Sequence, residues 1–289
     1  MSVVININGS VNSLVVNTNR NGTSITANGN EVWSNAPGYP PYLTFSSAGA
    51  FTLMQVAEMV AWDGTIEYST NTTNWSTWDG STISSAANNG THYLYMRGTG
   101  NTVISSADNG WYLDGSGISC DGDIRMLLDY ADPENAVMAE GCFSHLFETN
   151  DSLIKAPDFL STVVPRNAYN SAFLACSSLV TPGKIAATSI GLQGCSQMFM
   201  NCAALSALPE IKATSIGTYG MLRMFAGCSL IKLSETQTGE YQTPYRIPSE
   251  GTGSFGTGTA TSMFQNTGGT FVGAPTVNTT YYTSNTVVS

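Results

Sequence analysis

The strongest pattern in the chain is a set of hydrophobic positions that recurs every 26 residues. Phenylalanine marks the period at positions 147, 173, 199 and 225, cysteine follows three of these rings by three residues, and leucine or isoleucine follows each ring by six. A fixed period of about 20–29 residues is what stacked coils require, because no single coil can bury its own apolar face. The pattern therefore predicts a solenoid of about four coils. Its predicted core positions are Phe147, Phe173, Phe199, Phe225, Phe264, Cys176, Cys202, Cys228, Leu153, Leu179 and Leu205.

An insertion interrupts this period near its end. After Phe225 the next matching pair, Met263 and Phe264, comes 39 residues later, which is one period plus thirteen residues. We therefore expect an insertion at about 234–258, and insertions in solenoids form loops on one face, which is often the binding face. The stretch after Gly273 is expected to close the stack as a C-terminal cap, because a terminal coil otherwise leaves an open sheet edge.

The N-terminal residues alternate between apolar and polar side chains in short runs. Asn-Gly dipeptides separate the runs, and Asn-Gly is the strongest short-range signal for a hairpin. We expect a small β meander in residues 1–35 that anchors the chain or oligomerises it, because so short a segment buries too little surface alone. The apolar residues assigned to this role are Val4, Ile5, Ile7, Leu14, Val16, Ile25, Val32 and Trp33.

Strand-like runs also fill the middle of the chain. Between residues 43 and 119 they alternate with turn signals such as Asp63-Gly64 and Asp79-Gly80, which is typical of an antiparallel sandwich or barrel. Residues 36–42, rich in Pro and Gly, are expected to be a linker. The predicted fold is therefore mainly β, with a β-sandwich-like domain at 43–119 and the solenoid, with its insertion and cap, at 120–289.

Composition and charge narrow the class of partner. Hydrophobic residues make up 42% of the 289 residues, so the chain can build real cores, whereas only 10% of its residues are charged. That composition is typical of extracellular β-rich proteins and virion fibres. A net charge of −10 repels phosphate backbones, so we expect no nucleic-acid partner. Neither a signal peptide nor an apolar run of about 20 residues is visible, so we expect no membrane insertion.

The six cysteines are not expected to form a disulfide framework. Cys176, Cys202 and Cys228 occupy the same slot of successive repeats and would stack as a ladder about 4.8 Å apart, pointing the same way. A disulfide needs facing Cβ atoms about 3.8 Å apart, so free buried thiols are predicted for these three. The pairing of the remaining cysteines stays open: Cys120, Cys142 and Cys195.

Acidic residues and two histidines are the remaining signals for reactive chemistry. Carboxylates cluster between Asp114 and Glu134 beside Gly or Pro, where they favour turn and capping roles, and the alternatives are a calcium site and a glycosidase pair. His92 and His145 leave little scope for a zinc site or a Ser-His-Asp arrangement. Neither a Gly-x-Ser-x-Gly elbow nor a glycine-rich phosphate loop occurs. We therefore expect no enzyme, no metal and no cofactor.

Aromatic side chains outside the repeating core are the candidates for binding. Planar rings beside Asn, Ser and Asp suit sugar faces or protein hot spots. We expect a ligand first at the insertion tyrosines Tyr241 and Tyr245, and then at Tyr219 beside a repeat turn. The full set of such rings is Trp75, Trp78, Trp111, Tyr112, Tyr219, Tyr241, Tyr245, Tyr281 and Tyr282.

The repeat unit at residues 198–216 resembles the BspA-like leucine-rich repeats, whose units read Phe-x-x-Cys-x-x-Leu followed by a Pro and an Ile. Three units carry the Phe/Cys spacing, and the first has Asn150 in place of Cys. Residues 43–130 and the tail are similar to modules that flank such repeats in surface proteins of gut bacteria and in their phages. The resemblance implies a leucine-rich-repeat solenoid and a binding role without catalysis.

Members of that family are mostly cell-surface adhesins or virion proteins. Because a compact β segment replaces the expected signal sequence, we expect a phage virion protein, a tail or head fibre or appendage at the virion surface that attaches to a bacterial host. Its expected partners are other virion proteins through residues 1–35, copies of itself in a homo-oligomer, and a host-surface glycan or protein. The alternatives are a capsid decoration protein without a specific receptor and a secreted adhesin of the bacterial cell surface.

Overall fold

A computed structural model describes the backbone of residues 14–19, 22–27 and 30–34 and, in full, residues 39–56, 60–271, 273 and 275–289. The fold is mainly β, as the sequence predicts. Its strands form several sheets, and the described residues contain a single 3₁₀ turn at Ile124–Leu127 and no α-helix. Most of the polypeptide between the strands consists of hydrogen-bonded turns.

The N-terminal strands form a three-stranded antiparallel sheet in the order β1-β2-β3, in agreement with the predicted meander. Its strands are β1 Leu14–Asn19, β2 Gly22–Ala27 and β3 Asn30–Ser34. Leu14, Val16, Ile25, Val32 and Trp33 lie on these strands. Val4, Ile5 and Ile7 lie outside the described residues, so their anchoring role stays a prediction.

Two further sheets face each other across a core that contains tryptophan. Trp78 and Trp111 are almost completely buried, with ring centroids 5.0 Å apart, and Trp62 stacks on Trp78 at 4.9 Å. The larger sheet has the order β13-β12-β4-β10-β6-β7, with β9 also paired to β10, and the smaller has the order β11-β5-β8. The strands are β4 Leu43–Ser47, β5 Thr52–Gln55, β6 Thr65–Ser69, β7 Ser76–Thr77, β8 Ile83–Ser84, β9 Ala86–Asn88, β10 Thr91–Thr99, β11 Trp111–Asp114, β12 Ile118–Asp121 and β13 Leu153–Lys155.

The large sheet continues into the repeats. Strand β12 pairs antiparallel with β4 and parallel with β13, so the predicted division at 119/120 falls inside one strand. Phe45 of β4 also meets Phe147 of the first repeat edge to face, with centroids 6.1 Å apart. A continuous hydrophobic core therefore connects the sandwich-like region to the repeats.

Residues 26 positions apart are neighbours in the repeat region. Val164 pairs with Ile190 and Ile190 with Ile216 in a parallel ladder, and Phe255 extends the ladder after the insertion. The five phenylalanines of the predicted core form one buried column, with successive centroids 5.5, 5.6, 5.9 and 5.6 Å apart. The ladder consists of β14 Val163–Val164, β15 Ser189–Ile190, β17 Ser215–Ile216 and β20 Ser254–Phe255.

The segment around each phenylalanine is a run of turns that hydrogen-bonds sideways. Alternate N–H groups donate to carbonyls of the next coil, as from Phe147 to Ala172 (2.8 Å) and from Phe173 to Met198 (2.9 Å). The N–H groups between them donate to the carbonyl three residues earlier in the same coil. This pattern satisfies the backbone without an α-helix. It places every fourth residue in the left-handed region: His145, Thr149, Asn167, Ser171, Ala175, Gln193, Gln197, Asn201, Tyr219, Arg223, Ser262 and Asn266, with glycine at 141, 227 and 258.

The thiols of the repeats also form hydrogen bonds between neighbouring coils. Cys176, Cys202 and Cys228 are buried and unpaired, and each Sγ donates to the carbonyl of the phenylalanine 29 residues earlier, at 2.9, 3.1 and 3.0 Å. This confirms the prediction of free thiols. The cysteines left open by the sequence, Cys120, Cys142 and Cys195, are also free and buried.

The C-terminal strands differ from the predicted cap. Phe271 and Tyr281 do extend the column beyond Phe264. The ring centroids of Phe264 and Phe271 lie 6.2 Å apart, and those of Phe271 and Tyr281 lie 4.8 Å apart. The chain then turns back, and its last strand pairs in parallel with a strand of the third coil. The strands of this region are β16 Ala207–Pro209, β18 Lys232–Ser234, β19 Thr243–Arg246, β21 Gly268–Gly269, β22 Thr280–Thr283 and β23 Thr286–Val288.

Candidate binding surface

The outer face of the large sheet carries a run of aromatic side chains. Strand β10 alternates, so that Leu94 and Met96 are fully buried while Tyr93, Tyr95 and Arg97 point to the opposite face and are half-buried. This alternation follows from the two-residue period of a strand with one face on a core. A single strand thus supplies two rings and one guanidinium group to the surface.

Neighbouring segments extend these rings into a continuous strip. Tyr93 and Tyr95 stack with centroids 5.9 Å apart, Tyr42 meets Tyr95 at 5.2 Å, and Trp75 meets Tyr42 at 5.7 Å. All four rings are half-buried. We call Tyr42, Trp75, Tyr93 and Tyr95 the aromatic face.

Arg97 fixes one end of the aromatic face. Its guanidinium carbon lies 3.9 Å from the centre of the Trp75 ring and 4.2 Å from that of Tyr130, and its Nε donates to Glu67 at 2.7 Å. Cation–π contacts of this kind stabilise the ring on which the cation sits. The indole Nε1 of Trp75 also donates to the carbonyl of Thr72 at 3.1 Å, so the ring is held from two directions.

A turn orders the loop that presents Trp75. The Asn71 Oδ1 atom accepts hydrogen bonds from the N–H groups of Thr73 and Asn74 at 3.1 and 2.9 Å, which is the usual way that an asparagine side chain closes a turn. Burial, together with the neighbouring phenols of Tyr42 and Tyr93, raises the pKa of Tyr95. The Asn71 turn thus holds the loop that carries Trp75 in an ordered conformation.

Such a surface can contact a ligand by stacking. Half-exposed rings offer apolar faces to a flat or ring-shaped ligand, and Tyr hydroxyls at the edge add hydrogen bonds. Rings held in place lose little conformational entropy when a ligand arrives. The arrangement can therefore hold several units of an extended ligand across about four neighbouring rings.

The tyrosines predicted from the insertion lie elsewhere and in different environments. Tyr241 is partly exposed, whereas Tyr245 is 4% exposed, packs against Phe264 at 6.3 Å and donates its hydroxyl to the carbonyl of Pro209 at 3.2 Å. Burial raises the pKa of Tyr245. Tyr245 therefore belongs to the hydrophobic core in this structure, where it packs against Phe264.

Tyr219 is the exposed member of the predicted set. It is 41% exposed and occupies a left-handed turn position, with Gly258 of the next coil beneath its ring. Among the described residues, no ring contact joins Tyr219 to Tyr241 or Tyr245. The structure therefore does not bring the three predicted tyrosines into a shared surface.

The sequence reasoning singled out Trp75 but missed its neighbours. The alternating apolar and polar pattern of β10 could have identified Tyr93 and Tyr95 as residues of its outer face. Tyr42 lies beside a Pro-rich linker, and no local sequence pattern predicts its position. Two other tryptophans from the candidate set, Trp78 and Trp111, are core residues. Only the pairing of β10 with β4 and β6 brings the aromatic face together.

Side chains of the acidic cluster make capping, turn and ion-pair contacts within the protein. Asp123 caps the 3₁₀ turn and pairs with Arg125 at 2.7 Å, and burial raises its pKa against the opposing effect of that arginine. Asp121 pairs with Lys155, and Asp129 accepts from the N–H of Ala131 at 3.0 Å. No group of three or more His, Cys, Asp or Glu side chains suited to a metal ion occurs within the described part of the chain.

Cavities of about 220 and 300 Å³ lie on either side of Tyr39, whose hydroxyl donates to Asp158. His145 pairs with Glu148 in the first repeat turn, which gives it a structural role. In these regions Asp158 is thus paired with Tyr39, and Glu148 is paired with His145.

Comparison with protein-family models, with curated proteins and with solved structures finds no match to this chain. Over the described residues, no helix has both the length and the apolar character needed to span a bilayer.

Proposed function

We propose that this protein is a non-catalytic adhesion module that binds glycan chains through the aromatic face. The observation that carries the proposal is the strip of four half-exposed rings with neighbouring centroids 5.2–5.9 Å apart. Sugar rings present apolar C–H faces that pack on aromatic side chains, and a strip of rings suits an extended chain of such units. The low charge of the protein fits a ligand that is recognised by shape and hydroxyl groups.

The repeats are proposed to be a leucine-rich-repeat solenoid of about four coils that resembles the BspA-like type. The 26-residue parallel ladder and the column of stacked phenylalanines support this assignment. The continuous core between β4 and the first repeat would hold the aromatic face rigidly on this scaffold. In this proposal the solenoid sets the distance and orientation of the binding surface.

We further propose that the protein is a phage virion appendage that attaches to a bacterial host, with residues 1–35 as its anchor. Strand β2 pairs with both β1 and β3, and a sheet of that size gains stability by docking on a larger surface or on its own copies. Other virion proteins and a homo-oligomeric contact would provide that surface. The aromatic face would then be displayed outward.

Retention of the full chain on mucin-coated beads tests the glycan-binding role. We expect Trp75→Ala and Tyr95→Ala to weaken binding by about tenfold each, the usual consequence of truncating a central aromatic contact. Tyr112→Ala removes a half-buried tyrosine on the other sheet and is the matched control. Equal binding by all four proteins, at unchanged melting temperatures, would refute the role of the aromatic face.

Location is tested separately with an antibody against the purified protein. Labelling of purified phage particles supports the virion proposal. Labelling confined to washed bacterial envelopes contradicts it and favours a bacterial surface adhesin. Labelling of particles by a protein that binds neither mucin nor host cells would instead indicate capsid decoration.

A further inference from the structure

A charged pair, Arg97 and Glu67, closes one end of the aromatic face. Arg97 of β10 and Glu67 of β6 lie directly opposite each other in the antiparallel register, so their side chains point to the same side of the sheet. Tyr95 stands two residues before Arg97 on β10, about 7 Å away along the strand and on the same side. A sugar ring that packs on Tyr95 or Trp75 would therefore bring its hydroxyl groups within reach of the charged pair.

The charged pair uses only part of its hydrogen-bonding capacity. Arg97 Nε donates to Glu67 Oε2 at 2.7 Å, whereas Arg97 Nη1 and Nη2 and Glu67 Oε1 make no hydrogen bond to any described residue. The two side chains are 18% and 26% exposed, and none of these three atoms is among the unpaired polar atoms that the described part of the fold shields from solvent. Two donor groups and one acceptor are therefore open to a ligand.

Packing holds the guanidinium group of Arg97 in place. Its carbon atom lies between the rings of Trp75 and Tyr130, which leaves the N–H groups at the edge of the plane as the part that can meet a ligand. Tyr130 is brought to this position by the hydrogen bond from its own N–H to the carbonyl of Gly98 at 2.9 Å. A planar fork that is fixed before binding loses little conformational freedom when it donates to a ligand.

Charge at this end of the aromatic face favours a neutral ligand. Glu67 neutralises Arg97, and the whole chain has a net charge of −10, so an anionic group would meet an unpaired carboxylate oxygen without a free positive charge to offset it. A hydroxyl group can instead donate to Glu67 Oε1, and a second one can accept from Arg97 Nη1 or Nη2. A donor and an acceptor side by side match two hydroxyls on adjacent carbon atoms of one ring.

We propose that Arg97 and Glu67 select neutral sugar units that carry two adjacent free hydroxyl groups. This inference rests on the proposed glycan-binding function and adds its ligand specificity: the rings pack on the C–H face of the sugar, and the charged pair recognises its hydroxyl pattern. Hydrogen bonds to ionised groups are roughly twice as strong as those between neutral groups. A site built to bond a hydroxyl therefore discriminates against a sugar that lacks it, because the polar groups of the site are then left unpaired.

Retention of the full chain on chemically modified mucin beads tests this specificity. Periodate followed by borohydride cleaves the carbon–carbon bond between adjacent free hydroxyls, and we expect it to weaken binding by about tenfold relative to beads given pre-quenched periodate. Removal of the terminal acidic sugar with a sialidase should leave binding unchanged. Glu67→Gln and Arg97→Lys should each weaken binding to untreated beads to the same extent, and oxidation should then cause no further loss. Glu210→Gln, in an ion pair of the third coil with Lys212, is the matched control and should behave like the parent.

Each contrary result has a defined meaning. Equal retention on oxidised and untreated beads, with binding still lost in Trp75→Ala, overturns the specificity of the charged pair and leaves the aromatic face as the glycan site. Loss of binding after sialidase treatment also overturns it, because the selected unit would then be acidic. Full binding by both Glu67→Gln and Arg97→Lys, at unchanged melting temperatures, overturns it as well and assigns any preference for adjacent hydroxyls to other residues. Absence of retention on untreated beads refutes the adhesion role itself, and this inference with it.

Discussion

Asn285 provides the most direct test of how the C-terminal strand is locked into the repeats. In the earlier coils the main chain bridges successive strands, as from the N–H of Ser206 to the carbonyl of Val180 at 3.2 Å. At the next step the N–H of Lys232 instead donates to Asn285 Oδ1 at 2.7 Å, and Asn285 Nδ2 donates to Ser206 at 3.0 Å. The side-chain amide thus replaces one rung where strands β16 and β18 separate.

The magnitude follows from the number of bonds that are lost. Asn285 is 8% exposed, and its amide also donates to the carbonyl of Leu230 at 3.1 Å and accepts from Thr283 Oγ1 at 2.8 Å. At a net 0.5–1.5 kcal/mol for each of these four hydrogen bonds, Asn285→Ala should lower the free energy of unfolding by about 2–6 kcal/mol. Asn285→Asp keeps both acceptors but replaces the donors with a carboxylate facing two carbonyls, so it should lose at least as much at neutral pH.

Urea unfolding followed by tryptophan fluorescence measures this change, and hydrogen exchange locates it. The amide of Lys232 should exchange faster in Asn285→Ala, together with the amides of β23. Asn278 is the matched control, because it is exposed and bridges the N–H and carbonyl of Gly253 at 2.9 and 3.3 Å. Its replacement by Ala should cost less than about 1 kcal/mol. A loss below about 1 kcal/mol in Asn285→Ala, with unchanged exchange at Lys232, would refute the bridging role.

Two further predictions concern the repeat turns and the buried thiols. Ala175 has φ 59°, so Ala175→Gly should stabilise the protein by about 0.5–1 kcal/mol in urea unfolding, whereas Ala172→Gly, at a buried position, should destabilise it. A loss of stability in Ala175→Gly would contradict the strained turn. Burial raises the pKa of Cys176, Cys195 and Cys228 to about 12, from a usual 9.0. The folded state therefore keeps protons that the unfolded chain releases, so this stability is complete below pH 9 and is lost as pH rises toward 12. Urea midpoints measured across that range should fall less steeply in Cys195→Ala, and parallel slopes would contradict the assignment.

The parts of the fold that repeat were the parts that the sequence could predict. Phe173, Phe199 and Phe225 were expected to share a column because each coil must bury the same face as its neighbour, and they do so. The free thiols followed from the same argument. The turn runs between the strands were not predicted, because Ala175 and Gln193 carry no preference for the left-handed conformation that hydrogen bonding to the next coil imposes on them.

The candidate site was less accessible to sequence reasoning. Tyr245 was expected at the surface because it lies in an insertion, but the insertion folds back and uses that ring to cover Phe264. Tyr42 and Trp75 are separated by three strands along the chain and meet only because β4, β10 and β6 are adjacent in the sheet. Strand order is set by the packing of whole elements, which no local pattern encodes.

By itself, the amino-acid sequence determined the mainly β character, the 26-residue spacing of the buried rings and the free, buried state of the repeat thiols. Each depends on a periodic side-chain pattern that must face one core. The tertiary structure alone decided that the aromatic face is contiguous, that Tyr245 of the insertion packs against Phe264, and that Asn285 joins two separated strands. Those features arise from contacts between segments that lie far apart in the sequence. The free energy of these contacts depends on which main-chain groups and rings are left without partners once the repeats have stacked.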